Sequence, residues 1–210
     1  MITGFKKLLY IGLIAMLAMP VAAKIKYGVH AGISRSWLIQ KVDLDYNSGS
    51  KVGFSISGLA DIPFYRRFSF RPEIALTNQG GSYSSIQNED GEFTLKHSVN
   101  HYSLQIPLNI AFNIPISGVR LAVYAGPAPD IHLWGNMKTQ GVGETSIPTT
   151  EKGMKSFDLG VNSGISVEYK NIFFSMNILC GTLDRRIDKI DNESKVYQNN
   201  VTFSLGYIFR

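Results

Sequence analysis

The 210-residue chain carries 21 Lys and Arg against 16 Asp and Glu, a net charge of +5, and 44% of its residues are hydrophobic. That basic excess is too small and too dispersed for nucleic acid, and no apolar run reaches the about 18 residues of a transmembrane helix. The only cysteine, Cys180, has no partner in the chain for a disulfide and reads as one more apolar strand residue.

In chain order, the first element is an export signal. Lys6 and Lys7 form a short basic region, Leu8 to Met19 an apolar core of 12 residues, and Val21-Ala22-Ala23 a small-residue cleavage site. A core of that length is too short to cross a bilayer as a helix. An uncleaved anchor is the alternative, against which Pro20 and the small residues end the apolar run early. The expected organisation is a signal peptide over 1–23 and a single domain over 24–210. Cleavage would remove two lysines and no acid, leaving +3 over 187 residues.

Eight segments of the mature chain alternate apolar and small or polar residues, the period of a two-faced strand. They are Lys26 to Leu38, Lys51 to Ile62, Phe68 to Tyr83, Tyr102 to Ile114, Arg120 to Trp134, Phe157 to Tyr169, Ile172 to Thr182 and Val201 to Arg210. The sixth is the clearest. Phe157, Leu159, Val161, Ile165, Val167 and Tyr169 face one way, and Asp158, Gly160, Asn162, Gly164, Ser166 and Glu168 the other. Pro72, Pro107, Pro127 and Pro129 fall inside these strands. A closed barrel has no free edge to hide a missing N–H, so bulges or strand ends are expected there.

Tight turns at Phe64 to Arg67, Pro115 to Val119 and Lys170-Asn171 alternate with long polar loops at Gln40 to Ser50, Ser84 to Asn100, Gly135 to Ser156 and Leu183 to Asn199. In an even-stranded antiparallel barrel, all short turns then lie at one end and all long loops at the other. This is the asymmetry of barrels with short periplasmic turns and long extracellular loops. The expected fold is all-β, an eight-stranded antiparallel up-and-down transmembrane β-barrel.

A soluble, lipocalin-like ligand carrier is the competing eight-stranded barrel. It would put the apolar face inside, where eight strands leave room for little beyond packed side chains. Here the apolar face is bulky and the other is rich in Gly, Ser, Asn and Ala, which suits a narrow polar lumen. Aromatic residues are expected to form two interface girdles. Tyr27, Phe64, Tyr65, Phe68, Tyr169, Phe173, Tyr207 and Phe209 would lie at the turn end, and Trp37, Tyr83, Tyr102 and Trp134 at the loop end.

With the apolar face in lipid, Asp61, Arg71, Glu73, Asp130, Asp158 and Glu168 point into the barrel, joined by Lys26 and His30. Charges there are costly unless paired, so an ion-pair network centred on Arg71 and Glu73 is expected, plugging and fixing the barrel rather than serving transport.

Enzymatic patterns are weak. His97 and His101 share a strand face, and with Ser98 and Ser103 nearby they imitate the loop-borne triad of an outer-membrane acyltransferase, but no motif ties a carboxylate to them. No Cys-His cluster suggests a metal, and Gly141-Val-Gly143 precedes no helix that could hold a phosphate. Neither catalytic activity nor a cofactor is expected.

Gly28-Val-His-Ala-Gly32, Arg71-Pro-Glu73, Tyr102-Ser-Leu-Gln-Ile-Pro-Leu108, Tyr124-Ala-Gly-Pro127, Asp158-Leu-Gly-Val-Asn-Ser-Gly164 and Ser204-Leu-Gly-Tyr207 occur in shared order and spacing with one family. The chain resembles the PorT-like outer-membrane barrels of the Bacteroidetes group over essentially its whole mature length. The resemblance implies the same barrel in the outer membrane and a structural or accessory envelope role, linked through the founding member to type IX protein secretion. Partners would be membrane lipid and a secretion or surface protein. The alternative is a surface binder acting through Gly135 to Ser156 and Leu183 to Asn199.

Overall fold

The computed structural model describes residues 25–41, 49–88, 92–140, 145–148, 154–185 and 195–209. The expected signal peptide lies outside these residues. The strands are β1 (Lys26–Lys41), β2 (Gly49–Tyr65), β3 (Phe68–Asn88), β4 (Glu92–Gln105), β5 (Leu108–Ile116), β6 (Val119–Gln140), β7 (Thr145–Pro148), β8 (Phe157–Tyr169), β9 (Ile172–Gly181) and β10 (Lys195–Phe209). β4 and β5 form one interrupted stave, since both pair with β3 and β6. Counted that way, eight antiparallel staves run in sequence order. The ring closes where β1 meets β10, from Tyr27 opposite Phe209 to Lys41 opposite Lys195.

The apolar side chains are on the outside. Val29, Ile33, Ile56, Ile74, Val123, Val161, Ile165, Phe174 and Leu205 are exposed, whereas Ser34, Ser57, Thr77, Asn109, Asn162, Ser175 and Ser204 are buried. This inverts a soluble barrel and answers the lipocalin alternative: bulk faces lipid, and small polar groups fill the lumen.

The prolines gather at one irregular spot. Strand geometry lapses at Ile106-Pro107, while Pro72 stays in the ladder opposite Leu108 and Pro129 opposite Leu159. Backbone bonds continue across the break, Glu73 N–H donating to the Pro107 carbonyl at 2.9 Å and Ile106 N–H to the Pro129 carbonyl at 2.8 Å. Pro127 also remains in register, opposite Val161, so of these four only Pro107 ends a strand. Just above, a register shift between Tyr102 and Ser103 marks a bulge against β6.

Three two-residue turns close one end of the barrel, at Arg66-Arg67, Ser117-Gly118 and Lys170-Asn171. Ser117 (φ 42°) and Gly118 (φ 87°) are both left-handed, as a type I′ hairpin requires. Gly118→Val is expected to cost about 1–2 kcal/mol through left-handed strain alone. Urea unfolding from vesicles would show it as a lowered midpoint with unchanged slope.

The opposite end departs from expectation. Ser84 to Asn100 is not a loop: β3 continues to Asn88 and β4 starts at Glu92, paired in register from Gly80 and Asn100 out to Asn88 and Glu92. β6 likewise runs on to Gln140 and pairs with β7. The stretches Ser84-Ser85-Ile86-Gln87-Asn88 of β3 and Gly135 to Gln140 of β6 are mostly polar and carry little alternation, whereas in β4 Phe93, Leu95 and Val99 do alternate with Thr94, Lys96 and Ser98, a strand signal that the loop reading passed over.

The polar interior of the barrel

Asp61, Arg71, Glu73, Asp130, Asp158 and Glu168 all lie in the interior, each 8% exposed or less. Strand parity puts them there, and their direct contacts fall into layers, the lower two linked by Arg71 within electrostatic range of Asp61 and Glu73. Lowest, nearest the turns, the Arg120 guanidinium pairs with both Asp61 of β2 and Glu168 of β8. Arg120 stands directly opposite Glu168 in the ladder and also donates to the Asn113 side-chain oxygen at 3.3 Å. Lys26 is half-buried on β1 opposite Asp61.

In the next layer His30 Nε2 lies 3.0 Å from Glu73 Oε1. Arg71 makes no ion pair with Glu73. Its Nη1 donates to Ser166 Oγ at 2.9 Å, and its guanidinium sits 5.0 Å from the Tyr124 ring centre and 5.4 Å from that of Phe173. Guanidinium against aromatic faces is favourable when desolvated. Tyr124 in turn donates its hydroxyl to Asn177 Oδ1 at 2.6 Å. The direct arginine–carboxylate pairs therefore centre on Arg120, whereas Arg71, within electrostatic range of both Asp61 and Glu73, pairs directly with neither. Arg71 is turned toward two rings instead.

Phe173 is a correction as well. It is not a girdle residue but one of the most buried side chains, packed with Leu59 and Ile208 and edge-on to His30 at 5.5 Å. It shares the parity of Ser175 and so points inward. Gly206 makes the space, since any side chain there would collide with the Phe173 ring and with His30. The other turn-end aromatics, Tyr27, Phe64, Tyr65, Phe68, Tyr169, Tyr207 and Phe209, are exposed. At the loop end Trp134 stacks on Tyr102 at 5.1 Å.

The upper layer is built on amides. Asp130 Oδ2 accepts from Gln79 Nε2 at 2.7 Å and Gln105 Nε2 at 3.3 Å, and Gln79 also donates to Ser103 Oγ at 2.7 Å. Asn200 Nδ2 closes on Gln79 Oε1 at 2.9 Å. Asp158 serves the backbone: its Oδ1 accepts the N–H groups of Leu159 at 2.8 Å and Leu183 at 3.1 Å, pinning the segment after β9 over the rim. Buried Arg185 follows, within electrostatic range of Asp130, His101 and His132. Higher still, Leu38, Val99, Met137, Met154 and Val196 form an apolar cluster across the mouth.

The histidine pattern separates in space. His101 is buried and stacks on His132 at 4.5 Å, whereas His97 meets Thr139 Oγ1 at 3.0 Å well above the Tyr102–Trp134 level. There, outside the membrane, partial burial pushes its imidazole below the usual range. Ser98 is exposed and Ser103 buried. Neither ring nitrogen of His101 hydrogen-bonds to Ser103 or Asp130, so no relay of the triad kind is assembled among the described residues.

Sequence reasoning missed Arg120, Tyr124 and Arg185. Parity could have found the first two, which share the face of Ala122. Nothing in the local pattern marked the third.

A ring of staves with an apolar exterior, aromatic girdles and a polar filled lumen defines a membrane-spanning barrel. The profile of the outer membrane protein beta-barrel domain family matches residues 18–181, and the chain belongs to that family. It is accordingly a protein of the outer membrane. Among solved structures it is similar to OprG of Pseudomonas aeruginosa, with 12% identity, 90% of this chain and 97% of that one covered, and a TM-score of 0.52. It is also similar to Ail, the attachment invasion locus protein of Yersinia pestis, with 16% identity, 88% and 98% covered, and a TM-score of 0.46. These likenesses concern the fold alone. No curated protein matches the sequence.

Proposed function

We propose that this chain is a non-enzymatic, non-conducting envelope barrel, a structural or accessory component of the outer membrane that needs no cofactor. One observation carries the reading: among the described residues the lumen is packed with side chains. The cavity bounded by His30, Glu73, Gln105, Asn162, Asn177 and Asn200 amounts to about 20 Å³, room for about one water. In this reading Asp61, Arg71, Glu73, Asp130, Asp158 and Glu168 fasten the staves to one another rather than line a path. Residues 1–23 act as a signal peptide removed near Ala23.

A second reading, surface binding, is favoured by the extracellular hairpins. β3 and β4 rise about ten residues beyond the paired Asn78 and Tyr102, and β7 pairs with β6 alone among the described strands. Its other edge can accept an added strand from a partner.

One set of strains separates these readings. A deletion strain is complemented with the whole barrel or with one whose β3–β4 and β6–β7 hairpins are cut back to short turns. If the role is structural, the trimmed barrel restores resistance to detergent as fully as the whole one; if it is surface binding, it does not. The resemblance to PorT-like barrels adds a role in secretion, for which the same strains serve. Cargo held inside the deletion strain and released on complementation supports that role, and unchanged export removes it.

A further inference from the structure

The lipid-facing wall carries a groove of about 510 Å³ across β5, β6, β8 and β9. The register explains it. Ile110 stands opposite Ala125, Ala125 opposite Ser163 and Ser163 opposite Ile178, so one row places two small side chains between two isoleucines. The adjacent row toward the turns is Phe112, Val123, Ile165 and Met176, all bulky. The result is a trough lined almost wholly by apolar groups, with the Ser163 hydroxyl as the one polar side chain of the two rows, set in the apolar band and suited to an apolar occupant.

Its depth matches one leaflet. From the Ala125–Ser163 row to the Val119–Tyr169 pair at the turns is six residues along β6 and β8. At about 3.3 Å per residue and a tilt of about 40°, that is about 15 Å of depth, half of a hydrocarbon core of about 30 Å. In the turns themselves the charged side chains are all basic. Arg66, Arg67 and Lys170 occupy two of the three turns, and none of the six turn residues is acidic. Arg67 directly precedes the groove-lining Phe68, and its carbonyl accepts the N–H of Asn113 at 2.7 Å, beside Phe112.

We propose that this groove holds an acyl chain of a glycerophospholipid from the periplasmic leaflet, with the lipid's anionic phosphate held at the Arg67 and Lys170 rim. The proposal rests on the outer-membrane placement and is independent of whether the barrel is structural or a surface binder. An acyl chain fills the trough, and the basic turns select against lipids without net negative charge.

The test is native mass spectrometry of the whole barrel, extracted in mild detergent after incorporation into vesicles of phosphatidylglycerol, phosphatidylethanolamine and phosphatidylcholine. One retained phospholipid is expected, with phosphatidylglycerol ahead of phosphatidylcholine. Ser163→Phe and, separately, Ala125→Leu are expected to lower retention about tenfold, the loss of about two buried methylenes. Arg67→Gln with Lys170→Gln is expected to remove the preference for phosphatidylglycerol. The mobility shift on boiling confirms that each variant is folded. Absence of retained lipid, or a Ser163→Phe barrel that retains it like the wild type, overturns the proposal. A dimer abolished by Ser163→Phe, or lipid A retained in place of phospholipid, assigns the groove to another occupant and overturns it equally.

Discussion

Replacing Arg120 with methionine is expected to cost the barrel about 3–5 kcal/mol, the penalty for stripping the partner from a buried charge. The guanidinium holds two carboxylates, Asp61 and Glu168, which are both buried. Without it they are left close together and away from water, with only weaker compensation such as the Ser69 hydroxyl and the more distant Arg71 at Asp61. Asp61→Asn or Glu168→Gln alone is expected to cost less, because Arg120 is partly exposed and keeps its other partner. The triple change Asp61→Asn, Glu168→Gln and Arg120→Met is expected to recover much of the loss, since neutral groups carry little of the desolvation penalty. Urea midpoints in vesicles give the comparison. Equal losses for Arg120→Met and the triple variant would mean that Arg120 acts through its packing and not its charge.

The second large effect depends on membrane depth. Val161 sits inside β8, four residues from its loop end and opposite Pro127, and Tyr169 at its turn end opposite Val119. The two are almost equally exposed, at 53% and 57%. In water an arginine at either position would be tolerated alike. In a bilayer Val161→Arg is expected to cost about 2–4 kcal/mol and Tyr169→Arg about 0–1 kcal/mol, because the penalty peaks at the midplane and fades at the interface. Folding titrations in vesicles measure the difference. Matching costs at the two sites would argue against the membrane placement.

How much of this the sequence disclosed follows from what each residue faces. Where one strand face meets lipid and the other the lumen, as in Phe157 to Tyr169, alternation specifies the strand, its faces and its ends, and the structure agrees residue for residue. The same parity carried Asp61, Arg71, Glu73, Asp130, Asp158 and Glu168 to the interior. What parity cannot supply is which charge meets which across the lumen. Arg120 reaches Asp61 from a strand 59 residues away, and Arg71 turns to the rings of Tyr124 and Phe173. Those choices depend on barrel register, which is set by the whole ring. Phe173 was misplaced because its aromatic character was weighed above its position in the alternation. The β3–β4 and β6–β7 hairpins were read as loops because their composition is largely polar, although Phe93, Leu95 and Val99 keep the strand period in β4. Proline positions were informative in part: three of four were absorbed by the ladder because the break at Ile106-Pro107 is shared with its neighbours.

The layers of side chains also account for how so short a perimeter encloses a polar interior without becoming a pore. Arg120 with its two carboxylates, the Arg71 stack and the Gln79–Gln105–Asp130 amides each reach across staves that are not neighbours in the sheet. Each layer therefore both closes the lumen and ties the ring. The measurement that tests this most directly is conductance of the purified barrel in planar bilayers, with folding confirmed by its shift on boiling. The filled lumen predicts no steady conductance at any moderate voltage. Steady, well-defined channel steps from the folded protein would show an open path and contradict it.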